Sequence, residues 1–572
     1  MLTHSRRVER AQEESGKTLP NPVGQSVWPF LSRLESKTDG NPMKQPPCTS
    51  ENGPSFGEAE SGATLAPAQE TSSAREYRTA FRSASIMGGA SALNMAIGLV
   101  RAKVMAVLLG PAGTGLMGLY GQVTTLMGTV SNFGITSSGV RQIAEAAGTG
   151  DQVRIAQTDL TVRRVAWVTG LLGLILQLSL CWLLSRWTFG DSLHWKAIAL
   201  LSVIPLFGAL SGAQAARIQG LRRVGDLARQ SVLGALAGTI SGIALIWTFG
   251  FEGIVPQLIV VGGMSLASSF YFSRRVPMAK VALPLRDSAL EAKALVGLGF
   301  SFMASSLAGA VATYLISVTI AHKLGVQANG LYIAAWSLSG LYANFVLSAM
   351  GADYYPRLTA VANDKSRLVA MVNQQAETAL LIATPGIVGT LAFAPLAIHL
   401  FYSGAYAGAY GVMRWLMLGV FLRFLSWPLT FILLAKGAAA LFLVVEVLHH
   451  IINVLLVFAL IVPFGLPGVG AASPLLYVSY CILILIIAIT KYDFRYTKLY
   501  LPLVLVCLAM TLGAFFLNDI SAVGLRYSLG AALSLLACLV CGLVLKRLMG
   551  LRDMREVLNL GLQLAGLKKK VP

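Results

Sequence analysis

"LGPAGTGL" at residues 109–116 and "LGVQANGL" at residues 324–331 each stand between two long apolar stretches, with leucine and glycine in the same places at a shift of 215 residues. The same shift relates "FGFEGIV" at 249–255 to "FGLPGVG" at 464–470. One such match arises easily by chance. Two at one shift, near opposite ends of a stretch of about 145 residues, mark a duplicated unit. Each copy holds six apolar stretches, an even number, so both copies enter a bilayer in the same sense. That makes parallel repeats related by an axis along the membrane normal, with a cavity between two lobes whose rocking gives alternating access. Gly110–Pro111 then ends one helix, and Gly115 is expected to let the next begin without a side-chain clash.

Composition supplies the membrane. The 572 residues are 55% hydrophobic and 12% charged, against roughly 25% charged in soluble domains. "VAWVTGLLGLILQLSLCWLL" at 165–184 and the run 527–545 contain no charge and exceed the roughly 18 apolar residues that suggest a spanning helix. A β-barrel would instead show alternating segments of about 10 residues. The pattern predicts an all-α polytopic membrane protein with about fourteen spans, beginning with 80–109 and 115–140, including 196–216 and 376–402, and closing with 499–517 and 526–546. Residues 78–293 form the first lobe, 294–490 the second, and 491–572 two additional helices with a basic tail ending in "LKKK". Residues 1–75 are rich in Pro, Ser, Gly, Glu and Thr, lack the apolar run of a signal peptide, and read as a disordered cytoplasmic segment or an over-called start.

The net charge of +19 does not point to nucleic acid, because Lys and Arg cluster in the short gaps between apolar stretches. One alternate set of gaps holds twenty of them and the other only four, Arg186, Lys196, Lys323 and Arg526. By the positive-inside rule both termini are cytoplasmic. Five of the six cysteines lie in apolar segments, and the CxxC pair Cys538–Cys541 has no His or Cys neighbour, so they read as packing residues with no metal site.

Three stretches carry a family resemblance: "GLVRAKVMAVLLGPAGTGLMGLY" at 98–120, "GITSSGVRQIAEAAGTGD" at 134–151 and "MGADYYPRLTAV" at 350–361. Over about residues 78–490 the chain resembles the O-antigen translocase (Wzx-type) polysaccharide flippases, in the superfamily that also holds multidrug MATE exporters and lipid II flippases. The resemblance implies a bacterial inner-membrane protein that is not an enzyme and needs no cofactor. It would carry an undecaprenyl-pyrophosphate-linked oligosaccharide, an O-antigen or exopolysaccharide repeat unit, from the cytoplasmic to the periplasmic leaflet. It also implies the polysaccharide polymerase and chain-length machinery as partners.

An anionic pyrophosphate needs cations inside the membrane, where each costs roughly 2.5–3.5 kcal/mol to insert and so calls for a function. Arg101 and Lys103 lie nine and seven residues before Gly110, near mid-depth, and two residues apart cannot share a helical face. Arg101 follows Asn94 by one heptad, which favours it as the cavity residue; the alternative for either cation is snorkelling or structural pairing. Arg141 and Arg357 correspond within one residue under the repeat and are expected at the cytoplasmic ends of the second and eighth helices, placed to receive pyrophosphate or to act as anchors. Asp353, four residues before Arg357 with Pro356 between, is a candidate gate latch. Glu446 shares a helical face with His449 and His450, a set able to relay a proton or to balance Arg414 or Arg423. Tyr332, Trp336, Tyr342 and Asn344 suit sugar stacking or plain packing.

Rival readings stay open. A cation-coupled drug exporter on the same fold would want acids in its cavity, whereas the mid-membrane charges of the first lobe are basic. A membrane polymerase or glycosyltransferase usually needs a large outer loop, and the outer gaps are short with no DxD. No G-x-x-x-x-G-K-[ST] occurs, which argues against direct ATP use.

Overall fold

Gly110 has φ 63° and ψ −173°, and Gly325 has φ 90° and ψ 161°, backbone that glycine adopts freely and side chains avoid. These values come from a computed structural model, which describes residues 72–279, 281–517 and 519–549. The repeat is visible in the backbone at two further places. Gly250 (φ 55°, ψ −127°) matches Gly465 (φ 60°, ψ −141°). Arg222 (φ 57°) matches Gly437 (φ 68°), and the two turns close alike, by Arg223 N–H to Ile218 O at 3.0 Å and by Ala438 N–H to Leu433 O at 2.9 Å. Each of these pairs keeps the shift of 215 found in the sequence.

All regular elements among the described residues are helical. The first copy comprises α1 (Ser72–Asn132), α2 (Ile135–Gly148), α3 (Gln152–Phe189), α4 (Trp195–Leu201), α5 (Val203–Gly220), α6 (Val224–Phe249) and α7 (Ile254–Arg274). The second comprises α8 (Leu285–Leu324), α9 (Val326–Ala360), α10 (Lys365–Ala392), α11 (Ala394–Phe401), α12 (Ala409–Ala435) and α13 (Ala439–Tyr492). Then come α14 (Tyr500–Leu517) and α15 (Val523–Met549), with Gly530 of α15 packed on Ala392 at the end of α10. Asp151 and Asp364 begin α3 and α10 by accepting backbone N–H groups that the first helical turn leaves free.

Among the described residues, ten helices are long and apolar enough to cross a membrane, or eleven when the bent pair α10–α11 is one span. Three of the ten are 51–63 residues long and reverse direction at glycine. Within the stretch 224–274, Gly234 faces Ser265, Gly238 faces Val261 and Gly242 faces Gln257, an antiparallel register. The same register recurs in α13, where the His449 ring meets those of Tyr477 and Tyr480. In α1, Gly113 touches Phe251 at the Gly250 turn, while Asn94 bonds Ser231 and α2 meets Gly220, on either side of the turn at Arg222. The fourteen crossings expected from the sequence are met only if each of these three helices is two crossings.

Several expected boundaries move. The helix resumes at Pro111, directly after the break, so Gly115 is not a helix start. The expected span 115–140 is interrupted at Phe133 (φ 43°) and Gly134 (φ 66°), and the expected 376–402 by a 75° bend at Phe393, whereas the expected 196–216 is met by one span over Trp195–Gly220. Apolar residues continue through each break, so hydropathy does not register it. Residues 72–75, expected to belong to the disordered segment, begin α1; the rest of that segment and the "LKKK" tail lie outside the described residues.

Candidate functional site

The two copies meet through their own glycines. A Cβ on Gly115 would lie 2.0 Å from Val326 O, and one on Gly330 would lie 1.9 Å from Pro111 O. Since Pro111 and Val326 are themselves equivalent positions, the crossing is symmetric, as a pseudo-two-fold axis demands. Asn329 Nδ2 donates to Gly115 O at 3.2 Å. Beside this crossing the Thr114 and Tyr406 hydroxyls share a buried 2.6 Å hydrogen bond, and Thr188 pairs with Tyr314 at 2.8 Å. The seam therefore closes from the glycine-turn end. Lys103 adds two further hydrogen bonds across the same seam.

Lys103 was a candidate for pyrophosphate, but its ammonium donates to His399 O at 3.0 Å and to Tyr402 O. Those carbonyls end α11, where a cation is favoured by the unsatisfied acceptors and the helix dipole. Arg101 differs. It makes no hydrogen bond or ion pair with a described residue, and it stands one turn before Met105, which packs in the first copy's apolar cluster with Leu109 and Tyr120. Ala106, the next residue, belongs to the second copy's cluster, against which Leu99 and Ala102 also pack. Lys103 is thus held by the second copy. Asn94 shares the Arg101 stripe but bonds Ser231 Oγ at 2.7 Å, with its Oδ1 buried and unpartnered.

Arg141 and Arg357 are both exposed, yet they are not structural equivalents. Arg141 lies on α2, after the Phe133–Gly134 break, whereas α9 runs unbroken through Pro356 to Arg357. Asp353 Oδ2 accepts from Arg357 Nη1 at 2.9 Å, so the expected pair forms across the proline.

Glu446, His449 and His450 line a cavity of about 410 Å³ inside the second copy, together with Arg423, Trp336 and Tyr477. Glu446 Oε1 accepts from the Tyr480 hydroxyl at 2.8 Å, and His449 Nδ1 is buried without a partner. Arg423 donates to Asn344 Oδ1 at 3.3 Å. Arg414 does not balance Glu446, because it pairs with Asp519 at 2.7 Å. Tyr332 and Trp336 reach this cavity, whereas Tyr342 donates to Ile382 O at 2.7 Å and serves packing. The sequence reading missed Tyr477 and Tyr480. Their signal was the hairpin itself: a turn at Gly465 brings the residues after it back against Glu446 and His449.

A family model described as polysaccharide biosynthesis protein matches residues 104–410, more than half the chain. The chain belongs to this polysaccharide biosynthesis family. Within it, the chain is 22% identical to the lipid III flippase of Escherichia coli over 412 residues, covering 69% of this chain and 95% of that protein. The lipid III flippase of Shigella flexneri matches to the same extent. Among solved structures, the lipid II flippase MurJ in an inward closed conformation aligns with TM-score 0.60 and 16% identity, over 80% of this chain and 98% of its own. An inward-facing multidrug resistance MATE transporter of the MOP superfamily aligns with TM-score 0.59 and 15% identity, over 70% and 94%. These likenesses show that this polysaccharide biosynthesis family member, a multi-pass membrane protein, shares the fold of those solved transporters.

Proposed function

We propose that this family member is a flippase for a lipid-linked oligosaccharide, working by alternating access between the two repeats, 78–293 and 294–490. The observation that carries the reading is the seam between the repeats: they are hydrogen-bonded at the glycine-turn end, while Arg101, a cation without a described partner, stays at mid-helix. The lipid III flippases it resembles support a lipid-linked cargo. The finer assignment is an undecaprenyl-pyrophosphate-linked O-antigen or exopolysaccharide unit. It moves from the cytoplasmic leaflet, where the basic gaps place both termini, to the periplasmic one. Arg101 meets the pyrophosphate, Arg141 and Arg357 flank its entrance, and Lys103 holds the closed seam. An inside-negative potential favours outward movement of each negative charge by about 2.3 kcal/mol per 100 mV, so two charges suffice to drive export.

The test is leaflet-resolved flipping of labelled undecaprenyl-pyrophosphate oligosaccharide in liposomes, with and without an imposed potential. Arg101→Ala is expected to lower the rate at least about tenfold, the effect of losing one charge-assisted contact, and the potential is expected to accelerate wild type. Unchanged flipping in Arg101→Ala would remove the arginine from the cargo path. A second reading, a cation-coupled drug exporter, has one observation in its favour: Glu446 among aromatic walls in the second copy's cavity. Uptake of a cationic dye that is lost in Glu446→Gln, with no lipid flipping by wild type, would select it. If flipping occurs and Glu446→Gln abolishes only a proton-driven component, the Glu446–His449–His450 set is the coupling site.

A further inference from the structure

Away from the seam, helices α3, α5 and α7 of the first copy enclose two adjoining hollows. One, of about 460 Å³, is apolar and lined by Trp167, Phe207, Leu210, Leu266 and Phe270. The other, of about 520 Å³, is lined by Asp159, Arg163 and Arg217 and, from the connector, by Met278, Ala279, Val281 and Ala282. Arg163 lines both, so they form one groove, apolar below and charged above. From Phe207 to Arg217 the groove follows ten residues of α5, about 15 Å at the helical rise. That is half of a hydrocarbon core of about 30 Å, the depth of one leaflet. Trp167 and Phe270 are exposed, so the apolar part opens sideways to the bilayer.

The charged part is built but incompletely satisfied. Arg217 and Asp159 are buried and pair at 2.9 Å, and Arg217 Nη1 also donates to Ser273 O and Oγ. Arg217 Nε and Asp159 Oδ1 remain buried without partners. Arg163 is exposed and makes no hydrogen bond or ion pair with a described residue. Buried unsatisfied atoms of both kinds call for a ligand that both accepts and donates. Two arginines against one aspartate leave a net charge of +1, so the ligand is an anion.

We propose that this groove holds one acidic phospholipid, its acyl chain along Trp167 and Phe270, its phosphate at Arg163 and Arg217 Nε, and a headgroup hydroxyl donating to Asp159 Oδ1. Phosphatidylglycerol has this chemistry. The site adjoins the segment joining the two copies, since Arg164 donates to Leu283 O at 2.9 Å and Arg223 to Arg275 O at 3.3 Å. The bound lipid thus fixes the connector to the first copy. It is separate from the cargo path described above and stands or falls independently of it.

The test places the purified full chain in phosphatidylcholine nanodiscs containing a small fraction of lipid brominated on its acyl chains. Tryptophan quenching is compared with that of Trp167→Phe to isolate the Trp167 contribution. Brominated phosphatidylglycerol is expected to quench Trp167 as though enriched about tenfold over brominated phosphatidylcholine or phosphatidylethanolamine. Arg163→Gln abolishes this preference and Arg163→Lys retains it, which separates charge from damage to the fold. Free glycerol phosphate leaves the quenching intact. Equal quenching by the three lipids, loss of preference in Arg163→Lys, or displacement by glycerol phosphate would each overturn the proposal. Preference for phosphatidylethanolamine would overturn the anionic assignment.

Discussion

The atoms that a methyl group on Gly115 would strike are backbone, Val326 O at 2.0 Å and Gly330 N at 2.9 Å. A side chain can rotate away from such a clash, but two crossing helices can relieve it only by separating. Gly115→Ala and Gly330→Ala are therefore expected to open the seam, at a cost of about 1–3 kcal/mol typical of overpacking. The measurement is amide hydrogen exchange over residues 326–332, which rises in both variants, while Gly121→Ala, with open space around its Cβ position, leaves it unchanged. Wild-type exchange in Gly115→Ala would mean that the crossing is looser than its geometry. The recurrence of this glycine was legible in the sequence; its reason was not. A local turn explains why glycine is tolerated, but only the fold brings residue 115 against 326. The partners of Lys103 were illegible for the same cause, because they lie some 300 residues away, at the end of the expected span 376–402.

Helices were read well where one apolar run is one straight helix, and poorly where an apolar run conceals a break. The breaks at Phe393 and at Phe133–Gly134 both fall within continuous hydrophobicity, and only backbone geometry exposes them. Polar helix ends are easier to reason about. Asp493, at φ 48° after α13, pairs with Lys365 in the first turn of α10. The hydrogen bond from Lys365 and its charge hold the Asp493 carboxyl below the usual carboxylate range. A depressed carboxylate pKa stabilises the fold above the unfolded value of about 3.9, and that contribution disappears as pH falls through the folded value. The pair is exposed, so the effect is small. Thermal melts are expected to show Asp493→Asn less stable than wild type near neutral pH, with the gap closing toward about pH 3. A gap that persists into acid would assign the loss to the left-handed turn rather than to the ion pair.

Two copies joined toward one end can pivot there, and the energy of the joint limits how far. Three of its hydrogen bonds come from Lys103 and Thr114. At about 0.5–1.5 kcal/mol net each, removing all three shifts an open–closed equilibrium by about 1.5–4.5 kcal/mol. Minor conformations are commonly populated at about 0.1–10%, so a shift of this size raises an open form at about 1% to between about 10% and 95%. Phe249 and Phe464 are equivalent positions, both exposed beside the two corresponding turns, one in each copy, and their separation reports the pivot. Spin labels on cysteines replacing them are expected to give a longer distance population in Lys103→Met with Thr114→Val than in the parent. Each single substitution is expected to fall between. Val replaces Thr without a change of shape and Met replaces Lys with a similar stem, so altered volume does not account for the opening. If the double variant kept the parent distance distribution, the closing energy would reside in the glycine crossing and in the bonds of Asn329 and Thr188 that it leaves intact, and Gly115→Ala would be the variant that lengthens it.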